Sequence, residues 1–181
     1  MKWLCVFAGS HAGARAEYTE AARELGAELA ARGHGLVYGG GRVGLMGVLA
    51  DAVLAGGAPV IGVIPDRLRT PELAHEGVTE LRVVRDMHER KAQMAAQADA
   101  FIALPGGIGT FEEFFEVLTW AYLGIHSKPV GVLNIAGYYD PLVRLLDHAV
   151  EEGFVKAHHR ELIVQAATAR EMVERLEARL L

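Results

Sequence analysis

Three glycine-rich runs carry the residue types best suited to chemistry. They are Gly9-Ser10-His11-Ala12-Gly13, Gly39-Gly40-Gly41-Arg42-Val43-Gly44 and Pro105-Gly106-Gly107-Ile108-Gly109-Thr110. Glycine lets the backbone approach a ligand closely and adopt positive φ. Exposed N–H groups at the start of a following helix then bind an anion, usually phosphate. A single run of this kind also serves as an ordinary turn, but three together point to a phosphorylated ligand. The second run matches G-x-G-x-x-G at Gly39, Gly41 and Gly44, with Asp66 roughly 20 residues further on, as a dinucleotide site would require. Against that reading, the motif follows the second expected strand and not the first. No Walker-type lysine follows any of the runs.

Two charged clusters break local rules. In Asp86-Met87-His88-Glu89-Arg90-Lys91, Asp86 and Glu89 have the spacing of a helix cap and its partner. Arg90 and Lys91 then fall near the end of the first helical turn, where cations oppose the helix dipole at a cost on the order of a few tenths of a kcal/mol. Either the sequence simply bears that cost, or both side chains hold an anionic substrate. Thr110 and Glu113 also have capping-box spacing. Glu113 is therefore either a helix-start hydrogen-bonding group or a carboxylate beside a phosphate loop. The apolar stripe through Phe111, Phe114 and Leu118 is expected to point away from it.

Other chemistries lack their residues. Cys5 is the only cysteine, which excludes an intramolecular disulfide and a cysteine-based zinc site. The eight histidines show no H-E-x-x-H or other metal-ligand spacing. Ser10 has no G-x-S-x-G frame, and none of the four lysines marks a Schiff base. A formal net charge of −5 and the absence of basic patches interleaved with aromatics argue against nucleic-acid binding.

The elements that must position these residues follow from hydrophobic patterning. Of 181 residues, 51% are hydrophobic and 23% charged, which suits one compact globular domain, 1–181, and excludes disorder. The notable uncharged stretch between Asp51 and Asp66 is too short and too glycine-rich to span a membrane. No signal-peptide pattern opens the chain, and the protein is read as cytoplasmic. Short apolar runs predict strands at 3–8, 35–38, 59–64, 78–84, 100–104, 130–133 and 162–164. Helical spacing predicts helices at 15–32, 45–55, 87–98, 110–123, 139–152 and 170–180, with a loop region at 65–77. This alternation predicts an α/β, Rossmann-like doubly wound parallel sheet with helices on both faces. Its ligand would sit outside the carboxyl ends of the strands, where the glycine runs lie.

At Pro105-Gly106-Gly107-Ile108-Gly109-Thr110-Phe111-Glu112-Glu113 the chain resembles the LOG ("Lonely guy") family of cytokinin riboside 5′-monophosphate phosphoribohydrolases, through the pattern P-G-G-x-G-T-x-x-E. The resemblance extends over most of the chain. It takes in Val37-Tyr38-Gly39-Gly40-Gly41 with Gly44-Leu45-Met46-Gly47, then Ile61-Gly62-Val63-Ile64-Pro65, Met87-His88-Glu89-Arg90-Lys91, Thr119-Trp120-Ala121 and Lys128-Pro129-Val130-Gly131. The first glycine run departs from the pattern, since the family often has a cysteine and two serines where this chain has Phe7-Ala8-Gly9-Ser10-His11.

The resemblance implies hydrolysis of the N-glycosidic bond of AMP or N6-substituted AMP such as isopentenyl-AMP, giving free base and ribose 5-phosphate. It implies Glu113 and Arg90 as catalytic residues, Lys91 as the neutraliser of the phosphate, and the amides of Gly107, Gly109 and Thr110 as the phosphate cradle. Substrate contacts are further implied at Ser10, Gly40, Glu72, Met87, Gly106, Ile108, Phe111, Glu112 and Thr119. Glu72 would otherwise be a surface loop residue, and Thr119 a helix hydroxyl bonded to its own backbone. No metal or cofactor is implied, and a homodimer is. Members of the family have been labelled possible lysine decarboxylases, but no pyridoxal-binding lysine can be named here. Two readings compete. A non-catalytic nucleotide- or molybdenum-cofactor-binding protein on the same fold would retain ligand without releasing base. An NAD-type oxidoreductase would rest on the G-x-G-x-x-G match alone.

Overall fold

In the computed structural model, which describes residues 1–180, the chain forms a seven-stranded sheet in the order β4-β3-β2-β1-β5-β6-β7, parallel throughout. The strands are β1 (Trp3–Phe7), β2 (Gly35–Tyr38), β3 (Val60–Pro65), β4 (Glu80–Val84), β5 (Ala100–Ala103), β6 (Val130–Leu133) and β7 (Ile163–Ala166). The helices are α1 (Ala16–Ala31), α2 (Gly44–Ala55), α3 (Met87–Gln97), α4 (Ile108–Tyr122), α5 (Asp140–Glu151), α6 (Ala157–Arg160) and α7 (Ala169–Glu177). Single 3-10 turns lie at Asp66–Leu68 and Ile135–Gly137.

The inner strands are apolar along their length because both of their faces are covered, as parallel sheets require. Side chains from alternate strand positions feed two separate cores. On one face Leu4, Val6, Leu36 and Tyr38 pack with Leu25 and Leu29 of α1, Leu49 and Val53 of α2, and Met172 and Leu176 of α7. On the other, Cys5, Phe7, Val37 and Phe101 pack with Met94 of α3, Phe114 and Val117 of α4, and Tyr139. Only the edge strand β4, Glu-Leu-Arg-Val-Val, keeps most of its residues partly exposed. The order reverses between β1 and β5, so a crevice opens at the carboxyl ends of these two strands, flanked by β2.

The expected elements are present, with shifted ends. α4 starts at Ile108 and not at Thr110, with Gly107 as its extended N-cap and no side-chain cap. Thr110 is thus inside the helix, and the capping-box reading of Thr110 and Glu113 does not hold. Asp86 does cap α3, accepting from Glu89 N–H at 2.9 Å. β7 runs on to Ala166, and Thr168 then caps α7 by accepting from Glu171 N–H. The four-residue helix α6 has too few turns to show a period in the sequence. Among the described residues, no helix is long and apolar enough to cross a membrane.

Candidate active site

The three glycine runs follow β1, β2 and β5, three neighbouring strands, and are tied to one another by backbone contacts. Gly9 N–H donates to Pro105 O at 3.1 Å, and Leu45 N–H donates to Gly9 O at 3.0 Å. The tie needs the glycines. A Cβ on Gly44, whose φ is +62°, would collide with the Ser10 backbone. A Cβ on Gly9 would stand 3.2 Å from Gly106 Cα. Gly40, at φ +73°, gives its carbonyl to His75 N–H, and Arg42 N–H donates to Leu73 O at 2.8 Å. Residues 66–77 are thereby laced along the second run. Of the three glycines in the G-x-G-x-x-G match, Gly44 is required by contacts within the protein itself.

The loops enclose a cleft of about 440 Å³, within the ~300–1,000 Å³ range of small-molecule sites. Its wall has two chemically different parts. One is the start of α4: Gly107, Ile108, Gly109 and Thr110. The first N–H groups of a helix have no intrahelical acceptor, and no side chain caps these. Two tyrosines brace this loop from below. Tyr138 donates its hydroxyl to Gly106 O, and Tyr139 donates to Leu104 O at 2.6 Å. The other part is apolar, with Val43, Met46, Ile64, Leu68, Leu73 and Met87.

Between these parts stands an ion pair. Arg90 Nη1 donates to Glu113 Oε1 at 2.6 Å, with 11% and 10% of the two side chains exposed. Arg90 Nε donates to Val63 O at 3.1 Å. Its Nη2 has no protein acceptor among the described residues, while Arg90 itself lines the cleft. Glu113 lines it too. The residue expected to face away from the apolar stripe is in fact buried beside Phe114 and Val117, on the sheet-facing side of α4. Burial pushes its carboxyl above the ordinary carboxylate range, and the Arg90 charge offsets this only in part. A buried carboxylate held by one forked cation can stabilise a nearby developing positive charge or take a proton from water.

Of the other residues singled out in the sequence, Ser10, Met87, Ile108 and Glu112 line the cleft. Gly106 and Phe111 support it from behind: a Cβ on Gly106 would overlap the Thr110 side chain, and Phe111 stacks near Tyr138. Lys91 does not line the cleft. Its Nζ pairs with Glu112 and, at 3.1 Å, with Glu116. Burial would lower its pKa, but the two carboxylates outweigh that and hold it above the ordinary lysine value. Glu72 is exposed on the 66–77 segment, its carboxyl acidified by its own backbone N–H and the Thr70 hydroxyl. Thr119 Oγ1 donates to Phe115 O at 2.6 Å and faces a separate apolar cleft with Leu118 and Tyr122. Sequence reasoning missed Tyr138 and Tyr139. Among the described residues no cluster of side chains could hold a metal ion.

Comparison with known proteins bears on this geometry. Residues 46–176 match the family model described as "Possible lysine decarboxylase". The chain is 58% identical over 174 residues to the probable cytokinin riboside 5′-monophosphate phosphoribohydrolase LOGL1 of Oryza sativa subsp. japonica, covering 96% of this chain and 78% of that protein. It is 56% identical over 176 residues to the cytokinin riboside 5′-monophosphate phosphoribohydrolase LOG1 of Arabidopsis thaliana, covering 97% and 83%. Among solved structures it resembles the molybdenum cofactor binding protein of Rippkaea orientalis, with a TM-score of 0.76 at 21% identity over 99% of this chain and 98% of that one. It also resembles the molybdenum cofactor carrier protein of Chlamydomonas reinhardtii, with a TM-score of 0.75 at 21% identity over 99% and 98%. These two likenesses speak to fold alone. The fold, the paired Arg90 and Glu113 in the loop cleft, and the near-full-length identity to phosphoribohydrolases agree: the chain belongs to the LOG family.

Proposed function

We propose that this protein hydrolyses the N-glycosidic bond of an adenosine 5′-monophosphate, with N6-substituted AMP such as isopentenyl-AMP as the favoured substrate. The observation that carries the reading is the buried Glu113 carboxylate, held by Arg90 within one cleft of the uncapped start of α4. The 5′-phosphate takes the free N–H groups of Gly107, Ile108, Gly109 and Thr110. As the C1′–N bond breaks, positive charge builds on the sugar and Glu113 stabilises it. Water supplies oxygen to C1′, and its proton leaves with the base nitrogen. Glu113 receives that proton in transit. Arg90 keeps Glu113 ionised and turns its free Nη2 toward the substrate. The apolar wall of Met46, Ile64, Leu68, Leu73 and Met87 suits a hydrocarbon tail on the base. Lys91 acts on the phosphate by exchanging Glu112 for it. Among the described residues no lysine lines the cleft, which leaves a Schiff-base decarboxylase without its nucleophile.

The protein acts as a cytoplasmic homodimer on this reading. Tyr122, Leu123, Ile125, Leu145 and Phe154 are exposed about the end of α4 and about α5, a patch of the kind that a second copy covers. Thr119 lies on that side, so a substrate contact by Thr119 is made across the dimer. Glu72 contacts substrate only by inward movement of the 66–77 segment. The test is chromatography of AMP and N6-isopentenyl-AMP after incubation with the protein. Release of adenine or isopentenyladenine together with ribose 5-phosphate is expected, faster from the N6-substituted nucleotide. Retention of intact nucleotide would replace the enzyme with a binding protein, and equal rates would remove the tail preference.

A further inference from the structure

We propose that Gly39 is a positioning residue for the reaction: the missing side chain at this position is the socket that holds the Arg90 guanidinium against Glu113. The inference rests on the reading of Arg90 and Glu113 as the reacting pair and extends it to a residue on a different strand loop.

Gly39 stands immediately after β2, and its neighbour Gly40 has φ +73°. Gly39 itself is not among the positive-φ glycines, so an alanine could adopt its backbone. Backbone freedom therefore does not explain the glycine. Space does. A Cβ at Gly39 would overlap Arg90 Nη2 and stand 3.2 Å from Arg90 Cζ, whereas Met46 Sδ at 3.4 Å is in ordinary contact. The end of a long side chain commonly swings away from such a clash at little cost. Arg90 has no such freedom. Its Nε is fixed on Val63 O, its Nη1 on Glu113 Oε1, and it is buried. Displacing Nη2 breaks one or both bonds and leaves the Glu113 carboxylate short of its cation in a desolvated site. Gly39 thus acts on the chemistry by seating a side chain.

The experiment is a double-mutant cycle of Gly39→Ala and Arg90→Lys, read by turnover of N6-isopentenyl-AMP and by thermal unfolding. Lysine carries a single amine and has no atom at the Nη2 position. Gly39→Ala in the wild-type background is expected to lower kcat by ~10²-fold, the scale of an ångström-sized misplacement, with KM changed by less than roughly threefold. In the Arg90→Lys background the same substitution should change kcat and Tm little, a non-additivity that marks contact. If Gly39→Ala alone fails to fold, restoration of folding by Arg90→Lys carries the same conclusion. An equal cost in both backgrounds, or a double variant that also fails to fold, would overturn the socket and return Gly39 to a backbone role. Absence of turnover in the wild type would instead refute the proposed reaction, while the cycle in Tm would still test the socket.

Discussion

Two cations one residue apart tie α3 to α4, equally enclosed but paired with carboxylates of very different exposure. Arg90 and Glu113 are nearly closed to solvent and line the cleft. Lys91, Glu112 and Glu116 lie beside them, with Glu112 half exposed and Lys91 shared between two carboxylates. Glu112 is open to water, which screens its contact with Lys91, and the net worth of such a contact is ~0–1 kcal/mol. In the buried pair, loss of one partner strands a charge, at about 3–5 kcal/mol. The contrast teaches that α3 and α4 are stapled twice for different purposes. The outer staple tolerates exchange of partners, which a phosphate-binding lysine needs. The inner one fixes a buried carboxylate beside a single cation, which chemistry needs.

Among variants of the two cations and their outer partners, the largest effect should follow from removing Arg90. Arg90→Ala is expected to lower kcat by ~10²–10³-fold and to cost about 3 kcal/mol of stability, or roughly 6–12 °C in Tm. Near-normal turnover in steady-state assays would erase the distinction between the pairs. Lys91→Met comes next. KM for the nucleotide should rise ~10-fold with kcat nearly kept, since a group that binds ground state and transition state alike affects KM alone. A fall in kcat to match Arg90→Ala would place both pairs in the same class. The smallest effect belongs to Glu116→Gln, which leaves Lys91 with Glu112. Turnover should hold within roughly twofold and stability within ~1 kcal/mol, because Lys91 keeps Glu112 as a partner.

The same contrast can be sharpened by pH. Burial holds the Glu113 carboxyl above the usual carboxylate range, and the reaction needs it ionised. Turnover should therefore be full at higher pH and fall as pH drops through that raised value. The acid limb of kcat should lie above the range of an ordinary glutamate. An acid limb at an unshifted carboxylate pKa would assign the titration to a rim group.

Much of this architecture was legible in the sequence. β2 and β6 begin and end where the apolar runs do, because a fully covered parallel strand must be apolar along its whole length. The glycine runs could be placed at one sheet edge for the same reason. What local pattern could not show is burial that depends on a distant partner. Glu113 reads as a solvent-facing charge on α4, because the cation that makes its burial tolerable comes from α3, 23 residues earlier. Tyr138 and Tyr139 reach loop carbonyls 32 and 35 residues away, and no spacing rule connects them. Gly39 reads as part of a phosphate motif in the sequence, because the side chain that lies over it comes from α3. Family resemblance located Arg90 and Glu113, but the geometry supplies the reason that they belong together.

The central claim is that Glu113 is present for chemistry and not for helix-start bonding or binding. Glu113→Gln tests it most directly, with nucleotide affinity by calorimetry and base release by chromatography measured on the same preparation. Glutamine keeps an oxygen for Arg90 and removes the charge. The account predicts affinity within a few-fold of wild type and base release lowered by ~10³-fold or more. Base release close to wild type, or affinity lost in step with it, would contradict the claim.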